Sequence, residues 1–141
     1  MGPASAVAVA VVFVWLGMVA AISFIETPLK FRAPGVTLPI GLGIGRLVFR
    51  AVNRCEVVLA VVIVGAFAVE TPPLGAAATA GVAVVMLIGQ VLVVRPRLTR
   101  RSDAVLAGGE GPRSSAHWAY VGLELVKVAG LLISGVLLLS A

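Results

Sequence analysis

The chain has 141 residues, 60% of them hydrophobic and 12% charged, with a mean hydropathy of +1.13 and a net charge of +5. Soluble domains carry about 25% charged residues, and a chain this short has too little interior to hide so much apolar surface from water. Composition therefore excludes an ordinary soluble domain and points to lipid as the solvent, and the pI near 10.7 reads as basic residues beside membrane helices, not as a nucleic-acid surface.

A helix needs about 20 mainly apolar residues to cross a hydrocarbon core of roughly 30 Å. The first such segment covers residues 4–25 and carries no charge. It lacks the basic start of a signal peptide, and its apolar run exceeds the 7–15 residues typical of one, so a retained helix is expected. Residues 26–45 are mostly apolar but broken by Pro28, Pro34 and Pro39. Such a segment is expected to lie in the interface or fold back on the bundle. Gly41, Gly43 and Gly45 precede Arg46, but they match neither Gly-x-Gly-x-x-Gly nor a P-loop.

The second span covers residues 52–69, with an amphipathic lead-in from Gly45. Glu70-Thr71-Pro72-Pro73 ends it, and the prolines suit the first turn of the next helix. The third span covers residues 74–94. Residues 95–115, with Gly108-Gly109 and Gly111-Pro112, read as a polar, flexible connector. The fourth span covers residues 116–139. The fold class expected is an all-α integral membrane four-helix bundle, one domain over the whole chain. Gly17 with Ala21, Ala77 with Gly81, and Gly130 with Ser134 are small pairs that permit close helix packing.

Ten of the eleven Lys and Arg residues fall between spans one and two (Lys30, Arg32, Arg46, Arg50, Arg54) or between spans three and four (Arg95, Arg97, Arg100, Arg101, Arg113). With four spans both basic regions fall on one side, which the positive-inside rule makes the cytoplasm. Both termini are then expected on the non-cytoplasmic side of the cell inner (plasma) membrane.

Charged groups within a span are costly and informative. His117, Tyr120, Glu124 and Lys127 lie within roughly 80° of one another on the fourth helix. Arg46, Arg50, Asn53 and Glu56 share a face at the entry to span two, and Gln90 sits in the cytoplasmic third of span three. Two readings stand side by side. Glu56, Gln90, His117, Glu124 and Lys127 line a cytoplasm-facing cavity, a substrate or ion pathway, or they form a closed set of ion pairs that fixes helix register. Arg46, Arg50 and Arg54 are candidates for lipid headgroups, since arginine matches phosphate geometry. Trp15 reads as packing against a neighbour or lipid, and Trp118 and Tyr120 as an interfacial belt.

Trp15-Leu16-Gly17, the turn at Pro28 and Phe31-Arg32, Gly45-Arg46-x-Val48-Phe49, and His117 at the start of span four resemble a family of small four-helix membrane proteins. Its bacterial members are grouped as a domain of unknown function, with eukaryotic relatives among small transmembrane proteins. The resemblance covers most of the chain, leaving out residues 95–115. It implies a compact four-helix bundle and brings no activity or ligand with it.

Nothing in the sequence resembles a nucleophile with its base, paired catalytic carboxylates or a metal-ligand set, so no enzyme activity is expected. Cys55 is the only cysteine and His117 the only histidine, so no cofactor is expected either. The expected role is an accessory or assembly subunit of a larger membrane complex, touching membrane lipids and other subunits or further copies of itself, and no nucleic acid. The alternatives are a small transporter or channel using the inner polar cluster, with Glu124 and Lys127 as coupling pair and Glu56 as relay, or a lipid-binding membrane protein.

Overall fold

A computed structural model describes residues 1–108 and 116–141. Those residues form four long helices, each long and apolar enough to cross a membrane. They are α1 (Pro3–Lys30), α2 (Leu38–Val69), α3 (Leu74–Leu106) and α4 (Ala116–Leu139). The helix starts follow local chemistry. Pro3 and Pro39 occupy first-turn positions, where a missing N–H costs nothing. Thr37 caps α2, its hydroxyl accepting from the Ile40 amide at 3.4 Å. At the other end of α2, Glu70 turns extended (φ −136°), and Pro72-Pro73 lead directly into α3.

Two boundaries differ from the sequence expectation. Helix α2 begins at Leu38 instead of near Gly45. Gly41 does not break it, because it is a contact point: a Cβ there would run into the ring of Phe31, which folds back from the α1–α2 turn. Helix α3 also continues through Arg95 to Leu106, where a flexible connector was expected. Arg, Leu and Ala are good helix formers, Leu98 packs beside Val94 and Tyr120, and Arg46 pairs with Asp103 at 2.7 Å. The helix stops at Gly108, whose φ of 87° favours glycine. The rest of that connector, including Gly109, Gly111-Pro112 and Arg113, lies outside the described residues.

Helix α1 presents Ala8, Val12, Trp15 and Val19, all fully buried, at helical spacing. It packs on α2 along one side and on α4 along the other. Helix α4 in turn packs most extensively on α3. There Ala76, Ala80 and Ala83 leave room for the backbone of α4. A Cβ on Gly130 would stand 2.8 Å from the Thr79 carbonyl oxygen, and the Ser134 hydroxyl donates to the Ala76 carbonyl at 2.9 Å. Of the expected small pairs, only Gly130 with Ser134 makes such a contact. Gly17 and Gly81 face open space, because the α3 face used is that of Ala76 and Ala80, one residue out of step with Ala77 and Gly81. Helices α2 and α3 are consecutive, yet each packs mainly on α1 or α4 and they touch each other little along their spans.

The N-terminus and the α2–α3 turn lie at one end of the bundle, where the Gly2 amide and Ser5 hydroxyl donate to Glu70. The end of α4 is there too, with Leu137 against Gly75. Lys30, Arg46 and Arg95 gather at the opposite end around one cavity.

Replacing Gly130 with leucine forces α3 and α4 apart. It is expected to destabilise the bundle by about 1–3 kcal/mol or more, whereas Gly81→Ala should be neutral. Thermal unfolding of the detergent-solubilised variants measures the difference.

Candidate functional site

Both α1 and α3 widen into a stretch of π-helix, over Ala20–Glu26 and Gln90–Val94. Each stretch ends two residues before a proline, Pro28 or Pro96. A proline ring cannot donate to the preceding turn and crowds its carbonyl, and a wider turn relieves both problems. Thr27 also donates its hydroxyl to the Ile22 carbonyl at 2.8 Å. The first stretch carries Ser23 and the second begins at Gln90, and both side chains turn inward to the same cluster.

Lys127 stands at the centre of that cluster. Its ammonium pairs with Glu56, with Glu124 at 2.5 Å, and with the Gln90 side-chain carbonyl at 2.8 Å. An ammonium has three N–H donors, so these three partners use them all. Glu56 accepts two further hydrogen bonds, from the Trp15 indole at 2.7 Å and the Asn53 amide at 3.1 Å. Glu124 accepts from the Ser23 hydroxyl at 2.7 Å and from Gln90 Nε2 at 3.3 Å, while Gln90 Nε2 also reaches the Tyr120 carbonyl. Every one of the four helices contributes a side chain. Glu56, Gln90 and Lys127 are fully buried, and Glu124 is 2% exposed.

Of the sequence-derived candidates, the fold brings Glu56, Gln90, Glu124 and Lys127 into direct contact. The side chain of His117 lies outside the described residues. The cation that pairs with Glu56 is Lys127, 71 residues away on α4. Trp15 and Ser23 were missed. For Trp15 a signal existed, since an indole N–H in the middle of an apolar span needs an acceptor. Ser23 gave only a weak one, its place four residues after Val19 on the same helix face.

The cluster is closed at its centre and approachable at one edge. Glu124 and Ser23 line a cavity of about 140 Å³ whose wall also includes Thr27, Phe49, Arg95 and Leu98. The same four residues border a second cavity, of about 380 Å³, that reaches Lys30, Arg46 and Arg101 at the basic end. Phe49 meets Tyr120 edge-on at 5.6 Å, and the Arg95 guanidinium lies 5.5 Å from the Phe49 ring centre. In the other direction the interior is mostly alkyl: Val12, Ala8, Ile63, Ala80 and Leu131 fill the space beyond Lys127, with Ser134 buried on the α3–α4 contact.

Arg46, Arg50 and Arg54 do not touch Lys127 or its carboxylates; they line a groove between α2 and α3 that shares Asn53 with the cluster and Arg46, Arg95 and Thr99 with the basic-end cavity. Among the described residues, no three His, Cys, Asp or Glu side chains come together as a metal-ligand set. Comparison with protein-family models, curated proteins and solved structures found no match to this chain. The reading of the site therefore rests on its own residues.

Removing one partner of a buried ion pair leaves an uncompensated charge and costs about 3–5 kcal/mol. Lys127→Met strands two carboxylates in the core and is expected to abolish stable folding or lower stability by at least that amount. The triple variant Glu56→Gln, Lys127→Met, Glu124→Gln, which keeps shape and removes every charge, should recover much of the loss. Equal stability of Lys127→Met and the wild-type chain in detergent denaturation would show that the network carries no weight.

Proposed function

We propose that this chain is a multi-pass protein of the cell inner membrane that serves as an accessory or assembly subunit of a larger membrane complex, with its basic end toward the cytoplasm and both termini outside. The orientation rests on the positive-inside rule, applied to the Lys and Arg residues that flank α1–α2 and α3–α4. The role rests on one observation. Every charged side chain at the centre of the bundle is held in an ion pair with Lys127, between α2 and α4 or within α4, and α1 and α3 add neutral hydrogen-bond partners. A bundle locked in this way is a rigid body without a polar path to its far end, and its remaining chemistry lies on its outer faces. Helices associate in lipid through packing of such faces.

Two measurements test this reading. A reporter fused after Ala141 is expected to be active only when it is one that works outside the cytoplasm. Native mass spectrometry from mild detergent is expected to show the chain in a hetero-complex or a defined homo-oligomer. A lone monomer under every gentle condition rejects the subunit role.

A second reading, a small ion-coupled carrier, is favoured by the charge count of the cluster and by its open edge. Two carboxylates face one ammonium, and Glu124 borders the cavity that leads toward the basic end. The surplus negative charge is where a transported cation or a proton would sit. In this reading Glu124→Gln, which preserves shape, abolishes cation- or pH-driven flux in proteoliposomes. The subunit reading expects no such flux from the wild-type chain.

A further inference from the structure

The seam between α2 and α3 shares Arg46, Arg95 and Thr99 with the basic-end cavity, but its remaining length lies outside both readings. Two grooves run along it and share Val57. The first, of about 540 Å³, is walled by Arg46, Arg50 and Arg54 from α2 and by Arg95 and Thr99 from α3, with Val57, Val58 and Val91 at its inner end. The second, of about 280 Å³, continues from Val57 past Val61 and Val64 on α2 and Val84 and Ile88 on α3, with no polar surface. The seam is thus graded along its length, from guanidinium to alkyl.

We infer that this seam is a binding site for one anionic phospholipid, its phosphate among the arginines and an acyl chain along the valines. Arg46, Arg50 and Arg54 recur every four residues, so one face of α2 presents them over about 12 Å of helix. Arg95 and Thr99, one turn apart on α3, face them across the groove. Arg46 is neutralised by Asp103 at 2.7 Å, but Arg50 and Arg54 are exposed and have no carboxylate partner among the described residues. Arginine forks match phosphate oxygens, and basic pockets between helices suit phospholipid headgroups. From Arg54 to Val64 is ten residues, about 15 Å of helix, which equals one leaflet of a hydrocarbon core about 30 Å thick. That length match and the charge grading choose a diacyl phospholipid over a free anion or a further apolar helix. The site requires that the chain lie in a bilayer and does not depend on the subunit or carrier role.

The test uses the full chain in nanodiscs containing phosphatidylcholine with phosphatidylglycerol, followed by native mass spectrometry of the lipid retained. Wild-type protein is expected to hold one phosphatidylglycerol in preference to phosphatidylcholine. The exposed double variant Arg50→Gln, Arg54→Gln should lose about thirty-fold of that preference. Val61→Trp, which fills the apolar half from an exposed position, should weaken retention of either lipid while leaving thermal stability near wild type. Millimolar inorganic phosphate or glycerol phosphate should fail to displace the lipid. Four outcomes overturn the assignment: equal retention of the two lipids, an unchanged preference in the arginine double variant, displacement by inorganic phosphate, or a second protein chain seated in the seam in place of lipid.

Discussion

The position of Lys127 governs this structure. An ammonium in the middle of a low-dielectric bundle is tolerable only with anionic and hydrogen-bonding partners on every side. Here those partners come from α2, α3 and α4 itself. Glu56 and Glu124 then need partners of their own, and find them in Trp15 and Ser23 of α1. The demand spreads outward until all four helices are held in one register. Alkyl packing in lipid has little preference between neighbouring registers, because lipid tails and leucine side chains are alike in chemistry. A polar cluster does have such a preference. Shifting any helix by one residue costs the cluster an ion pair or a buried hydrogen bond.

The packing around the cluster is uneven, and the unevenness has consequences. Between α3 and α4, alanines and Gly130 bring the backbones close, and Ser134 adds a direct bond across the interface. Helix α1 is held along both sides, by α2 and α4. Of the neighbouring pairs, α2 and α3 share the sparsest interface, although a tight turn joins them. The seam is lined with arginine at one end, where Asp103 and Arg95 bridge to Arg46, and floored with valine beyond it. A bundle whose four helices are each long and apolar enough to cross a membrane thus presents one face graded from arginine to valine.

The two π stretches connect these features. Each is a local answer to a proline near the basic end, and each turns a polar side chain inward at the depth of Lys127. Gln90 continues the spacing of Ala83 and Leu87, and Ser23 that of Trp15 and Val19, so both lie on the buried faces of their helices.

Much of this was legible in the residues themselves. Four apolar runs, each long enough to span hydrocarbon, leave few alternatives to a helical bundle, because an unpaired backbone is intolerable in lipid. The clustering of Glu56, Gln90, Glu124 and Lys127 followed from their rarity, since stray charges in a span must find one another. Sequence alone could not say which carboxylate met which cation, because Glu56 and Lys127 are 71 residues apart and only the α2–α4 register joins them. Nor could it show that α3 runs on to Leu106, a matter of Asp103 reaching Arg46 across the seam. Local pattern determined the spans and the placement of charge; tertiary structure decided the partners, the closed centre and the open seam. The physical reason is that transfer into lipid acts on each segment separately, whereas ion pairing and packing depend on where distant segments meet.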